Sequence, residues 1–314
     1  MIIIGGITRL TGSGLSITEW NLISGVIPPL SDDDWIIMFD KYQQFPQYQK
    51  LNYGMTLEAF KSIFFWEYLH RLLGRLIGFV FFIPFLIFYF KKQLNSFLLK
   101  RMLLILMLGA LQGFLGWFMV KSGLVSNPHV NHIRLASHLM LALLLLSLIF
   151  LTALRLLDSP GIKVQKSSLV LSAIIIILIC IQIIYGAFTA GLKAGYAYNT
   201  FPSMNGEWVP SGLLKMMPVC SNFTDNGITV QWMHRCIAGL LLSTGVFAII
   251  YSMYKKDKAA TRYFGFLSVL IFLQITLGIV TLLFKVPVFA GVLHQCMAVF
   301  LLMSAIGIHY RFRT

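Results

Sequence analysis

Acidic residues are scarce in this chain. Of its 314 positions only 11 are Asp or Glu, and charged residues of both signs together make up 11%. That is too little polar surface for a soluble globular domain, so the soluble classes are excluded and a bilayer is the expected solvent. Cysteine is scarce too. Cys180, Cys236 and Cys296 lie inside apolar runs and read as small buried hydrophobes, which leaves Cys220 alone in a hydrophilic loop. No outer-loop pair exists for a disulfide or a Cys-x-x-Cys redox motif. Met1 to Ile4 is only the stub of an apolar run ahead of GGITRLTGSGLS, too short to span and without a basic n-region. The stub reads as the end of a helix that would start upstream of Met1.

What is present is apolar sequence, at 58% of the chain. Runs long enough to cross the hydrocarbon core as helices, about 20 residues, fall at 62–90, 99–120, 132–157, 167–189, 229–254, 262–284 and 289–311. The fold class that follows is all-α, a polytopic membrane protein with seven complete spans. A net charge of +14 raises the question of nucleic acid, but the basic residues cluster where topology would put them. Lys91, Lys92, Lys100 and Arg101 follow the first span; Arg155, Lys163 and Lys166 follow the third; Lys255, Lys256, Lys258 and Arg262 follow the fifth; Arg311 and Arg313 follow the seventh. By the positive-inside rule these segments face the cytoplasm, or the matrix in a mitochondrion, and the charge needs no nucleic acid partner. The loops 8–61 and 190–228, which carry most of the acidic residues, including Asp32, Asp33 and Asp34, then face outward. The expected address is the bacterial plasma (inner) membrane, or the mitochondrial inner membrane in a eukaryote.

An internal repeat organises the spans. The second, fourth and sixth each carry Gln with Gly four residues later: Gln112 and Gly116, Gln182 and Gly186, Gln274 and Gly278. The other four carry a histidine instead. Gly5, Thr8 and Gly14 match Gly186, Thr189 and Gly195 at one constant offset, and WEYLHRLLGRL in the first span echoes QWMHRCIAGLL in the fifth. This predicts two pseudo-symmetric four-helix bundles, at 1–157 and 167–314. The Gln and Gly residues have a packing account: Gly lets helices approach closely and Gln bonds across an interface.

His70, His138, His234 and His294 fall five to eight residues inside the outward ends of their spans, roughly 8–12 Å below the outer surface at the α-helical rise. One intramembrane histidine is as well explained by an interhelical hydrogen bond. Four at matched depth, paired by a repeat, point to function. Imidazole is a common haem-iron ligand, and helix bundles build cofactor sites from facing side chains. Two haem sites follow: His70 with His138, and His234 with His294. Zinc fits poorly, because no cysteine or carboxylate cluster completes a tetrahedral set. His129, His132 and His309 lie at helix ends or loops and read as surface residues.

The two sites differ. Among the acidic residues only Glu67 lies within a span, three positions before His70 and on the same helix face, whereas Gln231 holds the equivalent place in the second half. A buried carboxylate beside one haem and a neutral amide beside the other predict reaction at the first and electron storage or structure at the second. Glu67 is either a proton acceptor or donor or the ion-pair partner of Arg71 or Arg75. Arg71, Arg134 and Arg235 stand near the histidines, as propionate partners or as side chains snorkelling to headgroups. Paired histidines alone equally support a dihaem electron carrier. Intramembrane Glu and His in a repeat fold equally suit a proton-coupled transporter.

GGITRLTGSGLS at 5–16, PPLSDDDW at 28–35, YQQFPQY at 42–48, NYGMTLEAFKSIFFWEYLHRLLGR at 52–75, AGLKAGYAYNTFPSMNG at 190–206 and WMHR at 232–235 resemble the haem A synthase family, Cox15/CtaA, over essentially the whole chain. The long first outer loop without a cysteine pair resembles the mitochondrial and proteobacterial branch. The resemblance implies eight helices, the first almost absent here, and haem b as cofactor, ligated by His234 and His294 in the C-terminal half. It implies haem O as substrate near His70 and His138, with Glu67 as the catalytic residue beside the methyl group being oxidised. Successive hydroxylations to a gem-diol, then loss of water, would give the formyl group of haem A for terminal oxidases. A haem O synthase and an electron donor are the partners the resemblance implies.

Overall fold

The computed structural model describes residues 1–20, 24–125, 127–157 and 160–313. The loop positions 21–23 of the expected outer segment 8–61 thus lie outside the described residues. In chain order the α-helices are α1 (Ile2–Leu10), α2 (Asp32–Gln43), α3 (Pro46–Lys50), α4 (Leu57–Phe90), α5 (Ser96–Gly123), α6 (His132–Leu156), α7 (Lys166–Gly191), α8 (Gly227–Tyr254), α9 (Lys258–Leu283) and α10 (Val288–Arg313). Among the described residues seven helices, α4 to α10, are long and apolar enough to span a membrane. They coincide with the seven expected runs; six begin one to five residues earlier and α6 begins at the expected position. The extra turns come from polar capping that hydropathy does not register. Thr56, Asn95, Asn226 and Asp257 each accept a hydrogen bond from a backbone N–H two or three residues on, satisfying donors that the first turn leaves open. The stub expected at the N-terminus is helical as α1.

The chain divides into two compact units, Met1–Leu145 and Leu146–Thr314, the division falling inside α6. In the first unit α4 is 34 residues long, about 50 Å at the helical rise. That exceeds the ~30 Å hydrocarbon core, so α4 has turns to spare at the N-terminal end where loop 8–61 packs on it. There Phe60 and Phe64 pack with Tyr42 of α2 into a buried aromatic cluster edged by Trp35, Phe39 and Tyr48. A capping box between Ser31 and Asp34 starts α2 at the acidic run. This cluster holds part of the loop 8–61 against α4, beside the segment that carries Glu67.

In the second unit α7, α8, α9 and α10 form a closed ring in which each helix packs on its two neighbours. Its core is Ile175, Ile179, Leu241, Ala248, Phe264, Leu267, Ile271, Leu301 and Ala305. Small residues bring the helices close: a Cβ on Gly245 would lie 2.7 Å from the Ser268 hydroxyl. The outward helix faces stay apolar, with Val80, Met107, Ile177 and Ile250 all more than half exposed, as a lipid-facing surface requires.

Three sequence readings are corrected here. His132 is buried at the start of α6, at 9% exposure. His309 is half-buried and its Nδ1 lies 2.8 Å from the Ser172 hydroxyl, joining α10 to α7. Neither is a surface residue, because helix ends in a close-packed bundle still face neighbours. Cys236, read as a buried hydrophobe, is exposed on α8, and Cys180 and Cys296 are only partly covered.

Asp257 ties the loop ends of this ring together. It accepts from the Gln165 N–H and the Ser168 hydroxyl at 3.0 Å each and from the Ala260 N–H at 3.1 Å. Burial alone would push its carboxyl up, but these hydrogen bonds hold it below the ordinary carboxylate range. A depressed folded value stabilises above the unfolded value, about 3.9, and that stabilisation disappears as pH falls through the folded value. Asp257→Ala is therefore expected to lose about 1 kcal/mol, the usual worth of an N-cap. Thermal unfolding in detergent should show this deficit near neutral pH and its narrowing below about pH 4.

Candidate functional site

Each of the four intramembrane imidazoles rests on a glycine of a neighbouring helix. A Cβ on Gly5 of α1 would lie 3.1 Å from His70 Nε2 on α4. On Gly116 of α5 it would lie 3.1 Å from His138 Cε1, on Gly186 of α7 3.2 Å from His234 Cε1, and on Gly278 of α9 2.9 Å from His294 Cε1. Any larger residue would displace the ring. The glutamines one turn before three of these glycines reach the same rings. Gln112 Nε2 donates to the His138 carbonyl at 3.0 Å and Gln274 Nε2 to the His294 carbonyl at 3.1 Å. The amide nitrogens of Gln112, Gln182 and Gln274 stand 3.4, 3.4 and 3.5 Å from the Nε2 of His138, His234 and His294.

Within the first unit His70 lies in electrostatic range of His138, and within the second His234 lies in range of His294. The Nδ1 atoms of His138, His234 and His294 are buried with no protein partner. Imidazole nitrogen is the donor type that haem iron takes as axial ligand. Among the described residues no three His, Cys, Asp or Glu side chains converge as a metal-ion site.

Glu67 is 3% exposed, and both of its oxygens are engaged. Oε2 accepts from the Ser16 hydroxyl and the Ile17 N–H, each at 2.8 Å. Oε1 accepts from Arg71 Nη2 at 2.6 Å and Arg71 Nε at 3.1 Å. Arg71 also donates to the carbonyls of Ile17 and Glu19 at 2.8 and 2.9 Å. Carboxylate and guanidinium together fasten segment 16–19 to the outer part of α4, one turn from His70.

The second unit repeats this fastening with a neutral partner. Arg235 Nη2 and Gln231 Nε2 both donate to the Tyr198 carbonyl, at 3.1 and 2.7 Å, and Arg235 Nη1 reaches the carbonyls of Pro202 and Ser203. Tyr198 stands to Ile17 at the offset that relates Gly195 to Gly14. Arg235 Nε is buried without a partner. Arg134 is engaged differently: its guanidinium lies 3.6 Å from the centre of the Phe118 ring and donates to the Phe118 carbonyl at 2.7 Å.

Residues 1–306 match the COX15-CtaA family, described as a cytochrome oxidase assembly protein. The chain belongs to the COX15/CtaA family. Curated COX15/CtaA relatives align at full length. A heme A synthase of Nitrosospira multiformis is 46% identical over all of this chain and 89% of its own length. One of Parvibaculum lavamentivorans is 44% identical over 94% of this chain and 85% of its own. One of Rickettsia bellii is 42% identical over 96% and 91%.

The sequence singled out the four histidines and Glu67, and named Arg71 among the ion-pair partners of Glu67 that the structure bears out, but not their other contacts. The Gln and Gly residues were read as helix packing in general, whereas they pack on the histidines in particular. Ser16, Ile17 and Tyr198 were missed as partners of the charged site residues. The constant offset between the two loops was the signal that pointed to them.

Proposed function

We infer that this COX15/CtaA member is a haem A synthase, a multi-pass membrane enzyme that converts haem O to haem A. The observation that carries the reading is two pairs of intramembrane imidazoles, each ring seated on a glycine, in a chain whose full-length relatives are heme A synthases. Haem b is the resident cofactor in the half at 167–314, with His234 and His294 as the iron ligands. Two buried imidazoles within one compact unit, seated on Gly186 and Gly278, fit that group. When bound, haem b supplies one-electron transfer. Haem O is the substrate of the half at 1–157, near His70 and His138, and the two halves are pseudo-equivalent bundles. The methyl group is hydroxylated twice, each time with dioxygen as the oxidant and two electrons from the donor reducing its second oxygen atom to water, and the gem-diol then loses water to leave the formyl group.

Arg235 suits a propionate of haem b, because its Nε–H is the buried donor that the loop carbonyls leave unused. Arg134 stands one turn before His138 as the corresponding cation for haem O. Arg71 spends its donors on Glu67 and the loop, so its part is to close the outer wall of the substrate site. Glu67 is the acid–base group of that site, held in place by Ser16, Ile17 and Arg71. Bacterial relatives and the basic loop segments support a bacterial inner membrane with those segments in the cytoplasm. A haem O synthase delivers the substrate, and an electron donor completes the cycle.

Haem extracted from the chain co-expressed with a haem O synthase, and identified by chromatography and mass, tests this. Haem A together with haem b is the expected result. Haem b alone, with haem O available in the same membranes, would overturn the synthase reading in favour of an electron carrier.

A further inference from the structure

We propose that Gln182 and Gln274 are positioning residues for the two imidazoles assigned to haem b, and that Gln112 plays the same part for His138 in the substrate half. This rests on the ligand assignment above. The geometry is a two-point bracket. Residues four apart share a helix face, so each glycine meets the Cε1 edge of a ring while the glutamine one turn earlier reaches the same residue from above. Gln112 and Gln274 do so by donating to the backbone carbonyl of the histidine itself. Gln182 does so through the ring alone.

The amide also faces one particular nitrogen of each ring. An amide NH2 group donates and does not accept, and in all three sites it is the nitrogen of the amide that faces Nε2. At 3.4–3.5 Å the contact is longer than a strong hydrogen bond, so the amide orients the ring without holding Nε2 firmly. Iron needs a bare nitrogen held in a set direction, and outer groups of this kind commonly fix ligand tautomer and orientation.

A glutamine present only to join two helices would be expected to use both ends of its amide. Here the amide oxygens of Gln112, Gln182 and Gln274 are buried with no partner, as are the Nδ1 atoms of the three histidines they face. The same unfinished arrangement recurs three times on helices far apart in sequence. Each arrangement also sets a glycine against the Cε1 edge of the same ring, which ties these glutamines to the histidines rather than to helix packing in general.

The test replaces the donor and keeps the volume. Gln274→Met and Gln182→Met, in the full chain co-expressed with a haem O synthase and purified in detergent, are expected to lower haem b affinity on the order of 10-fold or more. Electron paramagnetic resonance of the ferric haem should show shifted g-values, and the reduction potential should move, while helix content stays at the wild-type level. Gln112→Met is expected to raise the KM for haem O on the order of 10-fold and leave the haem b spectrum unchanged. Wild-type haem b affinity and g-values in both Gln182→Met and Gln274→Met, beside an altered spectrum in His294→Ala, would overturn the positioning inference alone. An unchanged haem b spectrum in His294→Ala would overturn the ligand assignment beneath it.

Discussion

Glu67→Ala is expected to lower the conversion of haem O to haem A by 10²–10⁴, about the range that a positioned acid–base group contributes. Haem O, or an alcohol intermediate, should then accumulate in extracts while haem b is retained, since Glu67 and the second-unit histidines belong to different compact units. Alanine also removes the acceptor for the Ser16 hydroxyl, the Ile17 N–H and two Arg71 nitrogens. A loss in Glu67→Ala therefore mixes a released loop with a missing proton acceptor. Glu67→Gln separates them. Gln231 with Arg235 shows that this fold fastens the equivalent loop with a neutral amide beside the arginine. If Glu67 only fastens the loop, Glu67→Gln keeps most activity; if it handles protons, activity falls as far as in Glu67→Ala. The second result is expected. Hydrogen exchange over residues 13–20 should stay slow in Glu67→Gln and become fast in Glu67→Ala, which checks that only the alanine variant releases the loop.

Gly278→Ala is expected to cost at least about 90% of the bound haem b, in line with the tenfold or greater losses that follow when a ligand's support is disturbed. A methyl group there would sit 2.9 Å from His294 Cε1, a separation that side chains do not tolerate. Either the ring turns away or α9 and α10 part, and overpacking of this kind costs about 1–3 kcal/mol. Gly265 lies on the same helix with nothing within 4 Å of its added Cβ. Gly265→Ala should therefore bind haem b like the wild type and gain up to about 1 kcal/mol of helix propensity. The first unit offers the same contrast on α5, where Gly116 faces His138 and Gly113 faces open space. Gly116→Ala should lose activity with haem O and keep haem b; Gly113→Ala should lose neither. Equal haem b content in Gly278→Ala and Gly265→Ala would show that the ring has room the geometry denies it.

Much of this protein was legible in its residues alone. The seven spans followed from hydropathy, because an apolar stretch of spanning length has one low-energy conformation in lipid. The histidines and Glu67 stood out because ionisable groups are rare inside such stretches. The motifs at 5–16, 52–75, 190–206 and 232–235 carried the family. These are local properties, readable within one helix or one loop. What only the tertiary structure decided is who meets whom: Gly278 beneath His294, Gln112 on the His138 carbonyl, Ser16 and Ile17 on Glu67, Ser172 on His309. Those contacts join residues 16 to 137 positions apart. They depend on how each helix is rotated about its axis and how closely it approaches its neighbour. Hydropathy is nearly uniform around these helices, so it carries no record of that rotation; close packing of small residues and satisfaction of buried polar groups set it instead.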